Sequence, residues 1–421
     1  MFQAPRGTYD ILPGDQGYWR YIEEGAVAIC QLYSYQRIDT PAFEDALLFT
    51  SSIGGGTDIV HKEMYTFEDR GGNRLTLRPE GTAPVCRAYI EHGLHNWPLP
   101  VRLYYFSDIF RYERPQAGRY RQHYQFGFEA MGDGDPALDA EVIEMAWQFY
   151  LSLGLANLSL KLNSIGCKVC RPNYLESLKD YYSDYSLRLC PECKTRLKRN
   201  PMRLLDCKRQ SCRGIAEAAP KSIDYLCPQC RAHFDSLKRY LDLLEVPFEV
   251  NHCLVRGLDY YTRTVFEVQP EGEGGAQSAL GGGGRYDDLI EELGGRPTPA
   301  TGFAAGIERI VLNLKKQKVA VSILPTPAVF IAYLGDEARD EAVKLTSRLR
   351  KARIGVVQAL GGKSLKAQLR QANSIGARHT VIIGDEEIKS GTLLLRDMTT
   401  REQKIVPMSQ PTELLLKEIG P

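Results

Sequence analysis

The segment Arg256-Gly-Leu-Asp-Tyr-Tyr-Thr-Arg263, followed shortly by Gly281-Gly-Gly-Gly-Arg285-Tyr286-Asp287, decides how this chain is interpreted. Residues 262–268 predict a strand, because Thr, Val and Phe dominate them and Pro is absent. The glycine-rich turn that follows would let the backbone approach a ligand closely. Tyrosine offers a flat apolar face with a polar tip, and arginine a permanent charge whose fork matches carboxylate or phosphate. Together these features predict a site for a planar polar ligand.

Length and charge bound the possible functions of the chain. It has 421 residues and a formal net charge of +1, and such a length predicts about two to four domains. A charge so close to zero does not indicate nucleic-acid binding, so an RNA-binding surface would need local clusters of basic residues. The first seven residues lack the apolar stretch of a secretory signal, and no run of about eighteen apolar residues occurs. We therefore expect a cytoplasmic protein without membrane contact, whose cysteines are thiols or metal ligands.

Sequence patterns predict a core that is interrupted by an insertion and followed by a second domain. Strand-like and helical segments alternate over 1–166 and resume over 251–318. Between them, 167–250 is rich in cysteine and strongly basic. Residues 319–327 predict a linker, and 328–421 predict a small α/β domain with a mixed sheet. Its predicted strands are 329–334, 378–384 and 392–396, and its predicted helices are 337–351, 364–373 and 411–419.

A predicted hairpin before the insertion carries a long polar loop. Residues 101–111 predict a strand and 124–130 its returning partner, because side chains alternate between the two faces. Since glycine has no side chain, one face of the returning strand would leave room for a small molecule. That face carries Gln125, Gly127 and Glu129. An earlier polar turn, Leu77-Arg-Pro-Glu-Gly-Thr82, supplies Glu80 and Thr82, a carboxylate and a hydroxyl that could bind an ammonium group.

The chain resembles the histidyl-tRNA synthetases, which are class II aminoacyl-tRNA synthetases. The resemblance rests on the segments quoted above and on Gly302-Phe-Ala-Ala-Gly-Ile-Glu-Arg309, which is similar to the third class II motif. It implies an α+β fold: a class II catalytic core built on an antiparallel sheet, with a cysteine-rich, mostly helical insertion and a C-terminal α/β anticodon-binding domain. It implies ATP-dependent activation of L-histidine and transfer of histidine to the 3′ end of its cognate tRNA. Thr40-Pro-Ala-Phe-Glu44 lies where the dimer-forming first motif belongs, so the resemblance also implies a homodimer.

For ATP, the resemblance implies binding by Arg111, Glu113, Arg121 and Arg309. Arg111 matches the arginine that holds the α-phosphate, and Arg309 matches the one at the γ-phosphate. Arg256 would join Arg111 as the second catalytic residue at the α-phosphate, in a role that other class II enzymes give to a metal ion. Mg²⁺ would bridge the outer phosphates. Because the histidine carboxylate is already a nucleophile, positioning and charge neutralisation would replace general-base catalysis.

For histidine, the resemblance implies a pocket in which Glu129 binds one imidazole nitrogen and Tyr261 the other. Glu80 and Thr82 would hold the α-amino group. The other implied members of the pocket are Gln125, Arg256, Tyr260 and Tyr286. From the residues alone, two simpler interpretations stay open: Glu129 could form an ordinary ion pair on its strand, and Thr82 could cap a helix at 83–92.

Eight of the eleven cysteines occur in pairs. Their spacing is typical of zinc-binding turns, and four pairs could form two tetrahedral sites. We predict structural Zn²⁺, because four thiolates leave no open coordination position; unligated thiols and disulfides are the alternatives. The resemblance does not help, since many family members carry the insertion without these cysteines. The pairing cannot be read from the sequence, and the eight candidates are Cys167, Cys170, Cys190, Cys193, Cys207, Cys212, Cys227 and Cys230.

Contacts with tRNA are predicted in three places. The resemblance implies that Arg114 and Gln116, in the hairpin loop, reach the acceptor end of histidine tRNA. The basic run within 188–213 is either a solvated surface or a contact with the tRNA phosphate backbone. In the last domain the candidate phosphate contacts are Lys363, Lys366, Arg370 and Arg378.

Two rival functions deserve comparison with this one. Paralogues of the family regulate ATP phosphoribosyltransferase in histidine biosynthesis without charging tRNA. They typically lose the histidine signature and the anticodon domain, both of which are intact here. A zinc-dependent nucleic-acid-binding module is the second rival. It would not require Arg111, Glu129, Arg256 and Arg309 together, so their joint presence argues against it.

Overall fold

The computed structural model of this chain describes residues 2–53, 57, 59–115, 118–272, 279–321, 326–408 and 413. These divide into two units, Met1–Ser322 and Ile323–Pro421, each with its own core. The strands of the first unit are β1 Gln36–Arg37, β2 Phe43–Asp45, β3 Tyr65–Glu68, β4 Arg74–Leu77, β5 Val101–Phe110, β6 Gln122–Met131, β7 Leu158–Ser164, β8 Glu249–Val250, β9 Thr262–Pro270, β10 Gly281–Arg285 and β11 Ala300–Gly306. Its helices are α1 Gln16–Leu32, α2 Ala46–Ser52, α3 Thr82–Glu91, α4 Pro136–Ser152, α5 Arg171–Asp184, α6 Pro191–Arg199, α7 Gln210–Glu217, α8 Pro228–Leu243, α9 Leu289–Glu292 and α10 Ile307–Lys316.

An eight-stranded sheet in the order β1-β5-β6-β11-β10-β9-β7-β8 forms the centre of the first unit. The outermost pairs, β1 with β5 and β7 with β8, are parallel. The remaining neighbours are antiparallel. The α+β core built on an antiparallel sheet is thus confirmed, and the predicted hairpin corresponds to β5 and β6. A smaller sheet has the order β2-β4-β3.

The two faces of the large sheet bury different residues. On β6, Phe126 and Phe128 belong to a large apolar core with residues of α1, α4, α8 and α10. The alternate residues of β6, including Glu129, face the other way, as the two-residue period of a strand requires. There Glu129 meets a second core that contains Tyr105, Tyr260 and Tyr286. The sheet therefore separates an apolar, helix-packed side from a side rich in tyrosine hydroxyls.

The glycine-rich segment 281–284 is not the turn that the sequence predicted. It forms strand β10, which pairs with β9 on one side and β11 on the other. Glycine favours turns because of its backbone freedom, but it is also required where neighbours approach a strand closely. A Cβ on Gly281 would lie 2.5 Å from the hydroxyl of Tyr150, so a larger residue would not fit in this strand.

The cysteine-rich region is mostly helical, as expected, and contains α5, α6, α7 and α8. Around α5 to α7 it has a small core of its own, which includes four cysteines. Helix α8 differs, since Phe234, Leu237 and Leu241 join the large core beneath the main sheet. The predicted division of 1–318 into two core parts and an insertion at 167–250 stays a prediction.

The second unit is a five-stranded mixed sheet with helices. Strands β12 Val329–Tyr333, β13 Val356–Gln358, β14 His379–Ile383, β15 Thr392–Asp397 and β16 Gln403–Pro407 have the order β13-β12-β14-β15-β16. The first three are parallel and the last two are antiparallel to their neighbours. Short strands β13 and β16 were not predicted. The helices are α11 Asp336–Lys351, α12 Leu365–Ser374 and α13 Asp385–Ser390; the predicted helix 411–419 lies almost wholly outside the described residues.

Candidate active site

A cavity of about 750 Å³ opens in the first unit beside the hairpin strands. Nine of its described lining residues are Lys or Arg, whereas six are Asp or Glu. This excess of positive charge favours a polyanionic ligand. The nine cations are Lys62, Arg111, Arg119, Arg196, Arg203, Lys208, Arg209, Arg256 and Arg309.

The three arginines predicted at the phosphates, Arg111, Arg256 and Arg309, all line this cavity. Arg111 donates from Nε to the carbonyl oxygen of Pro79 at 2.7 Å. Arg309, near the start of α10, donates from Nη1 to the carbonyl oxygen of Ala279 at 2.7 Å. Backbone anchors of this kind fix a guanidinium before a ligand arrives, which is what electrostatic stabilisation of a developing charge requires.

Arg256 is fixed by two neighbouring strands. Its Nη1 forms an ion pair with Oε2 of Glu267 on β9 at 2.7 Å. A Cβ on Gly282 of β10 would lie 2.8 Å from the same nitrogen, so the glycine permits this close approach. Burial raises the pKa of Glu267, although the charge of Arg256 opposes that rise. Sequence reasoning missed Glu267; the available signal was a single acid in the apolar run of β9.

The other predicted ATP and tRNA residues of the hairpin loop occupy different positions. Glu113 lines the cavity and forms an ion pair with Arg119 at 3.1 Å. The guanidinium of Arg121 lies 3.8 Å from the centre of the Tyr112 ring, and Arg121 is not among the described lining residues. Arg114 is exposed. Gln116 lies outside the part of the chain that the structure describes.

Next to the cavity, Glu129 is the centre of a buried hydroxyl cluster. The carboxylate is 1 % exposed and accepts hydrogen bonds from Tyr286 at 2.5 Å, Thr82 at 2.8 Å and Tyr105 at 3.4 Å. Burial raises its pKa to about 8, although the bonds from Tyr286 and Thr82 act in the opposite direction. No cation is bonded to this carboxylate among the described residues, so the ordinary ion pair considered above is not found.

Thr82 and Glu80 are brought to this cluster by the start of α3. The hydroxyl of Thr82 donates to Glu129 and does not cap the helix. The cap is instead the carboxylate of Glu80, which accepts from the backbone N–H groups of Thr82 and Ala83, both at 2.7 Å. Burial raises the pKa of Glu80, and these backbone bonds oppose the rise. Tyr260 also reaches Glu80, with its hydroxyl at 3.4 Å.

The space predicted above Gly127 is filled by protein. A Cβ on Gly127 would lie 2.4 Å from the hydroxyl of Tyr105, its partner across the hairpin. The glycine therefore accommodates a tyrosine that bonds to Glu129, and not a ligand directly. Gln125, two residues earlier, does line the cavity, and its buried Oε1 has no hydrogen-bond partner within the described chain. That oxygen is free to accept a bond from a ligand.

Aromatic rings close the pocket around Glu129. Tyr260 and Tyr261 lie with ring centres 4.8 Å apart, and Tyr260 meets Tyr286 edge to face at 5.7 Å. All three are less than one-tenth exposed. Such rings exclude water while their hydroxyls stay available for hydrogen bonds. The residues predicted to bind histidine therefore lie near one another, although they come from four separate chain segments.

Two more titratable groups line the cavity. Burial, together with the charges of Arg111 and Arg309, lowers the pKa of His123 to about 3, so its imidazole is neutral. Burial raises the pKa of Glu308 to about 7, although the backbone N–H of Tyr124 opposes the rise. Neither residue was predicted from the sequence. His123 adds no positive charge to the cavity, so its arginines and lysines provide the positive potential.

Known proteins are similar to this sequence over nearly its whole length. The family model described as histidyl-tRNA synthetase matches residues 7–169 and 198–310, and the anticodon binding domain model matches 328–418. A histidine–tRNA ligase of Dehalococcoides mccartyi is 62% identical over 410 residues, which cover 97% of this chain and 98% of the relative.

This chain belongs to the histidyl-tRNA synthetase family.

Other members of the histidyl-tRNA synthetase family agree in sequence and in structure. A histidine–tRNA ligase of Pelotomaculum thermopropionicum is 51% identical over 99% of this chain and 97% of its own length. The crystal structure of apo S. aureus histidyl-tRNA synthetase superimposes with a TM-score of 0.82 at 38% identity, covering 99% of this chain and 100% of that one. Among the described helices, none combines the length and apolar character that crossing a membrane requires.

In this histidyl-tRNA synthetase family member the eight paired cysteines form two groups. The first cluster is Cys167, Cys170, Cys227 and Cys230; the second cluster is Cys190, Cys193, Cys207 and Cys212. Within each, the four sulfur atoms lie within 4.8 Å of one another. The Sγ atoms of Cys167 and Cys170 are 3.8 Å apart, as expected for tetrahedral Zn²⁺ with Zn–S bonds of about 2.3 Å. The fold thus resolves a pairing that the sequence left open.

Arg285, quoted among the first residues, lies outside the ligand pocket. It is fully buried and donates from Nε to Oδ1 of Asp139 at 2.9 Å. Asp139 also bonds to His233 at 2.8 Å and Thr264 at 2.6 Å. Burial would raise the pKa of Asp139, but the charge of Arg285 and the bond to His233 hold it well below its usual range. This ionised network connects α4, α8, β9 and β10 of the synthetase core.

Proposed function

We propose that this protein activates L-histidine with ATP to form histidyl-adenylate and then transfers histidine to the 3′ end of histidine tRNA. The observation that carries the proposal is the contact between two sites. A cationic cavity with three anchored arginines lies beside a buried hydroxyl cluster that contains two carboxyl groups, Glu129 and Glu80, neither bonded to a cation of the described chain. A triphosphate fits the first site, and a small ligand with N–H donors fits the second.

In the first step, the histidine carboxylate attacks the α-phosphorus of ATP and pyrophosphate leaves. Arg111 and Arg256 would neutralise the α-phosphate oxygens, and Arg309 would hold the γ-phosphate. The carboxylate of Glu113 in the cavity is a ligand type that Mg²⁺ accepts, and the ion would help to neutralise phosphate charge there. A pKa of about 3 makes His123 a weak base, which fits a reaction that needs no proton to be removed from the nucleophile.

Histidine recognition would use the hydroxyl cluster. Glu129 would accept an imidazole N–H, and Tyr261 would serve the other ring nitrogen. Glu80 lies next to Thr82 at the start of α3, where the two could hold the α-amino group with Gln125 nearby. Tyr260 and Tyr286 would exclude water. Because both ring nitrogens would be satisfied, an isostere without them would leave buried polar groups unpaired.

The second step requires tRNA, whose terminal ribose hydroxyl would attack the adenylate carbonyl. Arg114 and Gln116 are the proposed contacts with the acceptor end. In the second unit, all four candidates for phosphate contact are exposed, which such a role requires. They are Lys363, Lys366, Arg370 and Arg378.

We further propose that each cysteine cluster holds one structural Zn²⁺. The donor set fits, because four sulfur atoms converge in each cluster and would complete a closed tetrahedral shell. Burial opposes ionisation of Cys167, yet the backbone N–H groups of Cys170 and Val169 and the neighbouring thiols lower its pKa to about 7. A thiolate is the form that binds metal.

A homodimer in the cytoplasm is the proposed working state. The small β2-β4-β3 sheet, which includes part of the first class II motif, exposes apolar side chains. Phe43 is 51 % exposed, Phe67 is 43 % exposed, and Leu47 on the following helix is 69 % exposed. Rings and aliphatic chains grouped in this way are typical of a surface that a partner covers.

The regulatory paralogue is the alternative function. Against it stand the retained histidine signature of the sequence, the match to an anticodon binding domain at 328–418, and relatives named histidine–tRNA ligase that cover nearly the whole chain. These observations support tRNA charging.

ATP–pyrophosphate exchange with each amino acid in turn tests the proposal. We expect exchange with histidine alone, reduced by about 10²–10³ in Arg256→Ala, as for loss of a transition-state donor. Arg296→Ala, an exposed arginine in the same unit, is the matched control and should retain activity. Folded protein without exchange for any amino acid would exclude the synthetase and favour the regulatory paralogue.

A further inference from the structure

The first cysteine cluster touches the segment 256–263, which carries Arg256 and two pocket tyrosines. Arg171, the residue after Cys170, donates from Nη2 to the carbonyl oxygen of Tyr261 at 2.6 Å. The same nitrogen donates to the carbonyl oxygen of Gly166 at 2.9 Å, and that oxygen also accepts from the backbone N–H of Arg263 at 2.9 Å. The residues on either side of the Cys167–Cys170 turn therefore hold the end of this segment.

Packing at Gly166 makes that connection tight. Its φ is +69°, and a Cβ there would lie 2.8 Å from Sγ of Cys170. A cluster sulfur therefore lies directly against the residue that pairs with Arg263. Movement of the cysteine turn would be transmitted to the segment through this contact, since there is no side chain to absorb it.

The second cysteine cluster holds the middle of the same segment. Asn200 lies between Cys193 and Cys207, and its Nδ2 donates to Oδ1 of Asp259 at 2.6 Å. Arg203, three residues later, has Nη1 3.6 Å from the point where a Cβ on Gly257 would lie. Cys207 itself lines the ATP cavity. The loop between Cys193 and Cys207 thus contacts the segment 256–263 and also lines the cavity.

The surroundings of the second cluster explain why a metal would matter there. Its four cysteines lie inside the small core of the cysteine-rich region, among Tyr182, Leu204 and Ile215. A core of this size, built from fewer than about 70 residues, usually needs a metal or disulfides for rigidity. All eleven cysteines are free thiols in this structure. Four sulfur atoms that converge within 4.8 Å of one another would supply that cross-link by coordinating a metal.

We propose that zinc held by the two clusters fixes the segment 256–263 from two sides, through Arg171 and Asn200, in the position that binds histidine. Zinc here is a positioning element for the amino-acid site and not only a stabiliser of the insertion. The inference rests on the zinc sites and the synthetase activity proposed above. It predicts that loss of metal weakens histidine binding more than ATP binding: Arg256 would contact both ligands from this segment, whereas Arg111 and Arg309 are anchored elsewhere.

The experiment begins with the full-length protein and its metal content. Elemental analysis should find about two zinc ions per chain, one for each four-thiolate site. Zinc is then removed with a chelator under reducing conditions, and far-UV circular dichroism checks that the fold persists. Histidine binding is measured by calorimetry, and KM for histidine and for ATP by pyrophosphate exchange. We expect KM for histidine to rise at least about tenfold and KM for ATP to rise by a smaller factor, through Arg256 alone, with recovery of both after zinc is returned.

Two variants test the connection without touching a cysteine. Both variants should retain both zinc ions. Asn200→Ala loses one hydrogen bond to the segment and should raise KM for histidine by about threefold to tenfold. Arg171→Ala loses three hydrogen bonds and should raise it at least as much. Asn173→Ala is the control for the first, because Asn173 is exposed in the same region. Arg231→Ala is the control for the second: it follows Cys230 of the same cluster, but its guanidinium bonds to the carbonyl oxygen of Ile223. Both controls should behave as wild type.

The outcomes separate this inference from the proposed function. Normal histidine-dependent exchange that is indifferent to zinc removal and to Asn200→Ala and Arg171→Ala would overturn the positioning role. Absence of bound zinc in active protein would overturn it as well. Lack of exchange in the zinc-loaded wild type, with any amino acid, would instead refute the synthetase activity itself.

Discussion

Glu129 and Asp139 are both buried carboxylates in the same unit, yet their surroundings differ. Asp139 is bonded to Arg285 and His233, and these partners hold its pKa well below the usual range although burial acts against them. Glu129 is bonded to three hydroxyls, and burial raises its pKa to about 8. A buried carboxylate that is paired with a cation of the same chain needs no ligand, and the pair stabilises the fold. A buried carboxyl without such a cation keeps its proton or takes a partner from a ligand, and pKa values shifted in this way are frequent at functional sites.

Breaking the complete network should have the largest effect on stability. In Arg285→Met the charge of Asp139 loses its main partner, so we expect the free energy of unfolding to fall by about 3–5 kcal/mol. Urea denaturation followed by circular dichroism measures the change. Arg102→Met is the matched control, because Arg102 pairs with Glu141 on the same helix as Asp139 but is partly exposed. There the loss should be about 1 kcal/mol or less; equal losses would contradict the comparison.

Removing the charge of Glu129, which has no cationic partner, should stabilise the fold, whereas Arg285→Met destabilises it. Glu129→Gln removes a carboxyl that is costly to ionise, so we expect the free energy of unfolding at pH 7 to rise by about 1–3 kcal/mol. At the same time kcat/KM for histidine should fall by about 100-fold or more, because a buried acceptor is lost. Destabilisation at pH 7 with unchanged activity would show that Glu129 belongs to the fold.

The pH dependence follows from the sign of the shift. The pKa of Glu129 is higher in the folded chain, about 8, than its ordinary value of 4.5, so the folded state binds the proton more tightly. Its contribution to stability is therefore full below pH 4.5 and is lost as the pH rises through 8. We expect the difference in unfolding free energy between Glu129→Gln and wild type to grow over that interval. A difference that is constant with pH would contradict the raised pKa.

A smaller effect is expected from one hydroxyl of the cluster. Tyr286→Phe removes the 2.5 Å hydrogen bond to Oε2 of Glu129, and KM for histidine should rise by about threefold to tenfold. Tyr260→Phe is the comparison, since its 3.4 Å bond goes to Glu80 and is weaker. Steady-state exchange kinetics distinguish the two. A larger effect for Tyr260 would shift the main recognition from Glu129 to Glu80.

The number of protons released when histidine binds tests the difference between Glu129 and Asp139 most directly. The pKa of about 8 keeps a proton on most Glu129 carboxyls at pH 7, and recognition of the imidazole N–H by the ionised carboxylate would release that proton. We expect about 0.5–1 proton to be released for each histidine bound. Calorimetry in buffers of different ionisation enthalpy measures this number. At pH 9 the carboxyl is already ionised, so the release should be close to zero; proton uptake at pH 7 would contradict the assignment.

Sequence patterns predicted the long elements well. Strands β5 and β6 and the β11–α10 junction follow from alternation and from helix periodicity, which are local properties. Failures occurred where distant residues decide. Glycines 281–284 form a strand because neighbouring strands and Tyr150 approach them closely, and Tyr105 fills the space above Gly127 from across the hairpin.

The same limit applies to charges and cysteines. Arg285 and Glu129 look equally suited to a ligand in the sequence. The partner of Arg285 is Asp139 on α4, which is itself bonded to α8. The partners of Glu129 include tyrosines from other chain segments. Neither set can be read from the local sequence. The grouping of four cysteine pairs into two clusters likewise depends on how α5 to α8 pack. The roles of individual residues at ATP, histidine and tRNA remain predictions.

Strand β10 has a thermodynamic consequence. Each glycine loses more backbone entropy on ordering than alanine does, by about 0.5–1 kcal/mol. Four glycines in a row therefore raise the entropic cost of ordering β10 in the middle of the sheet, although the strand is hydrogen-bonded on both sides. Its order is provided by its neighbours: Arg256 beside Gly282, and Tyr150 beside Gly281. Slower amide exchange in β10 should therefore accompany occupation of the adjoining pocket.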